Sequence, residues 1–322
     1  MAAVADARLP ELVELPHLNP ADLDPLLEEE IGVWRREFAW DFQPSADLLR
    51  RFLQTRSLYG CALRTDSEVL GYAYHVCEGH KGLIGDLYLR NGFATPGNEA
   101  LLLGGVVQSL ISTPGVRRIE SQLMMLRAVS AQQIPFGRYL KRHDRLFMVI
   151  RRDAALRLPL NPPALNVTLL PWAERYQEDI AHVLAGSYKG HVDSEINDQY
   201  RTIPGARHFL TNIVRFPGCG RFSPVASLVA VDQRTRRVCG ICLCSLVSAD
   251  SGHITQLCVL PALRGARLGY DLLHHALLRL SDLGCTSVSL TVTCSNLEAI
   301  RLYESTGFRT HATFPALVWE GF

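Results

Sequence analysis

The sequence predicts an α/β chain built from two tandem domains of similar fold. Three observations lead there. The chain has 322 residues, which suggests two domains at roughly 150 residues each. Apolar residues make up 48% and charged residues 20%, a balance that fills a core and argues against disorder. One pattern of elements also occurs twice, with Ile84–Leu89 falling on Ile254–Val259 at an offset of 170.

Taken along the chain, each copy opens with a helical region. A strand, a turn and a second strand follow, "VLGYAYHVCEGHKGLIGDLYL" (69–89) in the first copy and "VCGICLCSLVSADSGHITQLCVL" (238–260) in the second. Gly71 and Gly240 stand near the start of each. Next comes a helix, "ALLLGGVVQSLI" or "YDLLHHALLRLSDLG", with Leu102-Leu103 falling on Leu272-Leu273 without a gap. A strand follows, "RRIESQLMML" or "TSVSLTVTC", and then a closing segment. The order is β, α, β, β, β, α, β, a helix or loop, and final strands. A repeat this long means two similar domains, because solenoid units are much shorter. Pro159, Pro162 and Pro163 mark a linker, so the expected division is a first domain over 1–153, a linker over 154–166 and a second domain over 167–322.

Charge and cysteine usage exclude several classes. With 33 basic and 32 acidic residues the formal charge is +1, which calls for neither nucleic acid nor an anionic membrane as partner. No apolar run reaches the roughly 18 residues that span a bilayer. "MAAVADARLPELVEL" carries acidic residues and no long apolar core, so it does not read as a secretory signal, and the expected compartment is the cytoplasm. Nine cysteines, an odd count, argue against a disulfide framework. Cys239, Cys242 and Cys244 in "VCGICLCSLV" read as small hydrophobes of a buried strand, Cys242 and Cys244 on one face and Cys239 on the other. No Cys/His pair stands at ligand spacing elsewhere, so no metal is expected.

The segment "QLCVLPALRGARLGYDLL" (256–273) carries the chemistry. An apolar strand ends at Pro261, and an Arg-Gly-Ala-Arg-Leu-Gly run leads into a leucine-rich helix. Glycines at such a junction let backbone N–H groups converge, and the helix N-terminus adds partial positive charge, together a cradle for phosphate. Arg264 and Arg267 add charge and forked donors. The segment is neither a P-loop nor a dinucleotide fingerprint, since no Gly-Lys-Ser/Thr and no ribose-binding acid follow. A turn without a ligand is the structural alternative for the junction alone.

In context, "VLPALRGARLGYDLL" resembles the acyl-CoA signature of the GNAT superfamily of N-acyltransferases, with Arg264 at its Arg/Gln position and Gly269 at its last Gly/Ala. Arg267 stands where that family usually has glycine. "TVTCSNLEAIRLYESTGF" (291–308) resembles the family's second element, a strand, an Asn, a helix and Tyr-x-x-x-Gly-Phe. The two motifs cover essentially all of 167–322. The resemblance implies that each copy is a mixed, mostly antiparallel sheet with helices on both faces. It implies acetyl-CoA as acyl donor, a pantetheine arm along the backbone of Leu257, Cys258 and Val259, and a pyrophosphate on the amides of Arg264, Gly265, Ala266, Arg267, Leu268, Gly269 and Tyr270. Asn296 is placed at the strand exit, with Ala299 and Tyr303 facing the cofactor on one face of a helix.

Acyl transfer to an amine needs an acid for the leaving thiolate, and Tyr303 is the expected one, against a reading as a packing residue. The base is open. The strand "GHITQLCVL" lacks the Glu that many family members place there and offers only His253 and Gln256. His191, Asp193 and Glu195 follow the domain's first helix, where the family usually builds its acceptor site. They read equally well as a solvated loop, and a water relay is a further alternative.

The first copy reads as a fold kept without its site. At the cradle positions it has Ala94, Thr95, Pro96, Gly97, Asn98 and Glu99, so both arginines are gone, Pro96 has no N–H, and Glu99 brings negative charge. "RAVSAQQIPFGRYLKR" fits the Asn-to-Tyr helix poorly. The organisation resembles tandem-GNAT enzymes such as mycothiol synthase, though no residue assigns that substrate. The leading expectation is an N-acetyltransferase acting on a small-molecule or peptide amine. The alternatives are an acyl-CoA-binding regulatory module without turnover and a mononucleotide-binding α/β protein, the last opposed by its missing Lys and ribose acid.

Overall fold

The computed structural model describes residues 10–160, 165–216 and 218–322. Pro162 and Pro163 of the expected linker lie outside the described residues, as do 1–9. In chain order the elements are β1 (Glu11–Glu14), α1 (Pro20–Phe38), α2 (Gln43–Gln54), β2 (Tyr59–Arg64), β3 (Val69–Glu78), β4 (Lys81–Leu89), α3 (Pro96–Ile111) and β5 (Arg118–Gln122). They continue with β6 (Leu140–Arg151), α4 (Arg152–Ala155), β7 (Val167–Pro171), α5 (Gln177–Ser187), α6 (Asp193–Ile196), α7 (Ile203–Arg215), β8 (Arg221–Phe222), β9 (Leu228–Asp232) and β10 (Val238–Leu246). The last are β11 (Ser251–Val259), α8 (Leu268–Asp282), β12 (Ser287–Thr293), α9 (Leu297–Ser305) and β13 (Arg309–Glu320). No helix among the described residues is long and apolar enough to cross a membrane.

The chain forms two compact units, each a mixed, mostly antiparallel sheet with helices. The first comprises the chain up to Phe38, then Phe42–His143 and Phe314–Phe322; the second comprises Ala39–Asp41 and Asp144–Thr313. This differs from the linear division into 1–153 and 167–322. The reason is strand pairing. In the second unit, Arg145–Arg151 of β6 pair antiparallel with β12. In the first unit, Ala316–Glu320 of β13 pair antiparallel with β5. Each unit therefore closes its sheet with a strand that a cut at the linker would assign to the other.

Within the first unit the strand order is β1-β2-β3-β4-β5-β13, and within the second β6-β12-β11-β10-β9-β7, with β8 on β10. The parallel pair is β4–β5 in one and β11–β12 in the other. The repeat holds residue by residue. Lys81 faces Arg118 as Ser251 faces Ser287, and pairing stops at Ile84–Ser121 as it stops at Ile254–Leu290. A β-bulge interrupts β3–β4 at Tyr74/His75 and β10–β11 at Leu243/Cys244. Past these points the parallel strands part.

Hydrophobic burial explains the helices that cover the sheets. On α3, Leu102, Leu103, Val106, Val107 and Leu110 are fully buried; on α8, Leu272, Leu273, Ala276, Leu277 and Leu280 are the same set moved by the offset. The 3-4 spacing puts each set on one helix face. Each leucine so buried contributes about 1.5–3 kcal/mol.

Cys239, Cys242 and Cys244 are buried in β10. The expected split between faces is corrected: all three join one core cluster with Leu272 and Tyr303. A register irregularity against β9, between Val238 and Gly240, breaks the alternation and turns Cys239 to that side.

The first unit also buries a carboxyl pair. Glu30 accepts from Trp34 Nε1 at 3.1 Å and from Tyr72 Oη at 2.8 Å. Asp86 is its neighbour and is hydrogen-bonded to it. Burial first, and then the neighbouring Asp86 charge, holds Glu30 well above the usual carboxyl range. Burial raises Asp86 to about 6.

Candidate active site

In the second unit the site begins where β11 and β12 part. Beyond Ile254, the residues Thr255 to Val259 have no partner on β12, so the backbone of Leu257, Cys258 and Val259 borders the opening. On its other side this stretch pairs with β10, Val259 facing Gly240 and Leu257 facing Cys242. Ser187 Oγ donates to Val259 O at 3.2 Å. Cys258 is buried, and burial pushes its thiol up to about 12, so it is not a nucleophile at neutral pH.

A short 3-10 turn, Pro261–Leu263, joins β11 to the junction. Gly265 has φ 75° and Arg267 φ 62°, both left-handed. Glycine takes that region freely, whereas a residue with a Cβ pays about 1–2 kcal/mol. Arg267 is thus a strained substitute at a place suited to glycine, and it is the N-cap of α8. The first amide of α8 to find a backbone acceptor is that of Asp271, on Arg267 O at 3.1 Å. Among the described residues, the amides of Gly265, Ala266, Arg267, Leu268, Gly269 and Tyr270 have none. Leu268 is 1% exposed, so its side chain belongs to the core and only its backbone faces outward. A Cβ at Gly269 would make ordinary contact, 3.6 Å from Leu302 Cδ2.

Arg264 is exposed, yet its guanidinium donates from Nη2 to Ser187 O at 2.8 Å, at the last turn of α5. That charge therefore also neutralises a helix C-terminus. Arg267 is exposed. Tyr270 Oη donates to Pro159 O at 2.8 Å.

At the exit of β12, Asn296 is the N-cap of α9, its Oδ1 accepting from Ala299 N–H at 3.3 Å, while its Nδ2 lies 3.2 Å from His191 Nε2. Ala299 and Tyr303 share the helix face that packs on the second unit's core. A Schellman turn fixes Tyr303: Phe308 N–H reaches Tyr303 O at 3.0 Å and Gly307 N–H reaches Glu304 O at 3.0 Å, with Gly307 at φ 96°. The Phe308 ring, fully buried, stands 5.9 Å from the Tyr303 ring. Tyr303 is 8% exposed, and among the described residues its hydroxyl has no hydrogen-bond partner. Burial above all, with the Asp193 charge adding and Arg145 opposing, raises its pKa, so it stays protonated through neutral pH.

A polar group surrounds Tyr303 that local sequence did not reveal. Gln256 donates to Tyr188 Oη and accepts from Tyr200 Oη at 3.3 Å, and the two tyrosine rings stack at 4.5 Å. These partners lie 68 and 56 residues from Gln256 in the chain. The only sequence signal was a polar residue in an otherwise apolar strand. Thr293 Oγ1 donates to Asp193 Oδ1 at 2.5 Å. Arg145 Nη2 reaches Thr291 Oγ1 at 3.2 Å. His253 is 4% exposed, packed edge-on by Trp40 at 5.1 Å, with Nδ1 2.9 Å from Ser289 Oγ. Burial first, then Arg145, lowers it to about 3, so it is a neutral core histidine. Of the trio His191, Asp193 and Glu195, Asp193 turns inward with 14% of its side chain exposed, His191 sits beside Asn296, and Glu195 faces outward.

The first unit differs at each of these points. Thr95 Oγ1 caps α3 by accepting from Asn98 N–H at 3.2 Å. Glu99 is 1% exposed and takes backbone N–H groups of Arg127, Ala128 and Val129 at 3.0, 2.8 and 2.6 Å. Its carboxylate thus bridges the start of α3 and the loop after β5. Between β5 and β6 stand only 3-10 turns, at Ala131–Gln133 and Gly137–Tyr139, where the second unit has α9. Asp86 occupies the counterpart of Gln256.

Residues 195–308 match the model of the Acetyltransferase (GNAT) family. The chain is similar in fold to a GCN5-related N-acetyltransferase from Sphaerobacter thermophilus, with 17% identity, 97% of each chain covered and a TM-score of 0.66. It is similar to a tandem GNAT protein from the clavulanic acid biosynthesis pathway, with 16% identity, 97% of this chain and 98% of that one covered and a TM-score of 0.58. A GCN5-related glucosamine N-acetyltransferase region of a fungal multi-domain β-N-acetylglucosaminidase matches at 14% identity over 99% of this chain and 39% of that one, with a TM-score of 0.62. No curated protein matches the sequence.

Proposed function

From a second unit that belongs to the GNAT superfamily, we propose that the chain transfers an acetyl group from acetyl-CoA to a primary amine, in the cytoplasm, with Tyr303 as general acid. One observation carries the reading. A run of amides without backbone acceptors, Gly265 to Tyr270, stands at the N-terminus of α8 beside the opening between β11 and β12. Convergent N–H groups with a helix dipole behind them bind a pyrophosphate. The edge of Leu257 to Val259 has no partner on β12 and, apart from the Val259 carbonyl that Ser187 holds, is open to an extended amide-bearing arm as an added strand. Arg267 contributes its backbone first and its exposed side chain second. Asn296 holds the start of α9, and Ala299 leaves room above that helix.

Tyr303 then faces the leaving sulfur with a proton that burial keeps on the phenol. A thiolate leaving from a thioester takes such a proton readily, and the hydroxyl gives up no hydrogen bond to supply it. In the first unit the counterpart opening is crossed by the Glu99 carboxylate, and Pro96 and Thr95 withhold donors, so that unit binds no acyl-CoA. A thiol-release assay with acetyl-CoA and a panel of amines tests the reading. Binding of acetyl-CoA without release on any amine identifies an acyl-CoA-binding module instead, and no binding overturns both.

A further inference from the structure

The opening in the second unit lacks a strand carboxylate. Gln256 stands at that level, and both ends of its amide are engaged by Tyr188 and Tyr200. His253 is enclosed by Trp40 and Phe147 and stays neutral. A different carboxylate enters the same space from α6. Asp193 is 14% exposed, and its charge is felt by the hydroxyls of Tyr188, Tyr200 and Tyr303 together. Thr293, just past the point where β12 leaves β11, fixes Oδ1 at 2.5 Å. Oδ2 lies 3.9 Å from His191 Nδ1, beyond hydrogen-bond distance. Oδ2 makes no hydrogen bond among the described residues. A largely buried carboxylate with one oxygen pinned and the other open, next to the proposed acid, suits an ammonium group.

We propose that Asp193 is a catalytic residue that receives the acceptor's ammonium and takes its first proton. The inference rests on the transfer proposed above. Asp193 Oδ2 accepts one proton from R–NH3+ and passes it to water. The freed nitrogen lone pair forms the C–N bond at the thioester carbonyl, and the C–S bond breaks. Tyr303 gives its proton to the departing thiolate and recovers one from the nitrogen. The products are the N-acetyl amine, CoA thiol and one released proton. Carboxylate and alkylammonium draw together in basicity as water is excluded, which allows the first step. The groups facing Asp193 are His191, Thr293 and the three tyrosines, and Arg145 acts on Tyr200 and Tyr303 from beyond them.

The test compares Asp193→Asn with the natural chain on ethylamine and on methoxyamine. These are similar in size, but at pH 7 ethylamine is an ammonium and methoxyamine a free base. Asparagine keeps the oxygen that Thr293 bonds, and unchanged acetyl-CoA affinity verifies the fold. The expected result is a fall in kcat/KM of roughly 100-fold or more on ethylamine and little change on methoxyamine. An equal loss on both amines makes Asp193 a structural residue and overturns the inference, while the proposed function stands on the natural chain's turnover. If the natural chain turns over neither amine, ethylammonium binding to the CoA-loaded protein, read by NMR, decides. Binding that the variant loses supports the inference; binding it keeps, or none in the natural chain, overturns it.

Discussion

The Glu99 carboxylate accepts a hydrogen bond from the backbone N–H of Val129 at 2.6 Å, the shortest of three amide contacts that hold it in the first unit. A carboxylate there does for the first unit what a bound anion does elsewhere: it satisfies converging donors. Its counterpart in the second unit is Gly269, which has no side chain to do so. We expect one CoA per chain by calorimetry. Gly269→Glu should weaken binding by roughly 100-fold, about 2.7 kcal/mol, by placing a negative charge beside the phosphate site. Glu99→Gln should cost about 1–3 kcal/mol of stability without adding a second site. Two equivalent sites in the natural chain contradict this account.

Tyr303→Phe separates chemistry from packing. Among the described residues the hydroxyl has no partner to lose, so the thermal midpoint and CoA affinity should hold nearly constant. Turnover should fall by roughly 10²- to 10⁴-fold at saturating substrates. An unchanged turnover makes Tyr303 a packing residue. The raised pKa adds a second expectation: no fall in rate from tyrosine ionisation between pH 7 and pH 9.

Arg267 sits in the left-handed region without being glycine. Arg267→Gly removes the Cβ strain of about 1–2 kcal/mol and adds unfolded-state freedom of about 0.5–1 kcal/mol. Stability should therefore hold or rise slightly, whereas Arg267→Ala gains nothing. If the backbone amide is the main grip, CoA affinity in the glycine variant stays within about tenfold, ~1.4 kcal/mol. A much larger loss assigns the phosphate contact to the guanidinium.

Acidification should act on the two units with opposite sign. Burial depresses His253 to about 3 from an ordinary 6.5. Between those values the unfolded chain binds the extra proton, so the stability it confers is complete above pH 6.5 and is lost as pH falls towards 3. Glu30 and Asp86 are raised, Asp86 to about 6 from an ordinary 3.8. There the folded state holds the proton, so stability is complete below about pH 4 and is lost as pH rises through 6. Each effect has a limit of about 1.4 kcal/mol per pH unit per group. Calorimetric scans from pH 7 to pH 4.5 should flatten at the second unit's transition in His253→Gln and at the first unit's in Asp86→Asn. Parallel pH dependence in both variants and the natural chain refutes the assignment.

Local pattern reached far into this molecule. The offset that places Ile84 on Ile254 also places the parting of β4–β5 on that of β11–β12, because register and apolar spacing are both written in neighbouring residues. The junction from Arg264 to Gly269 was legible for the same reason. What stayed hidden depends on residues distant in the chain. Asp193 meets Thr293 across 100 residues, and Glu99 meets Val129 across 30. The motif position of Arg264 predicts a phosphate donor, and its bond to Ser187 O gives it a second partner that spacing could not supply. The division into domains differed because β6 and β13 pair outside the stretch of chain where each was placed.

That last arrangement bears on how the protein is made. As the chain leaves the ribosome, the first unit emerges with β1 to β5 in hand but without 314–322, and β5 waits with an open edge. Translation of about 190 further residues must pass before that edge is covered. Until then the nascent first unit exposes the pocket that Leu317 and Trp319 will fill, both fully buried at the end. A ribosome stalled before Phe314 would hold a half-finished sheet, a natural client for chaperones that bind apolar strand edges.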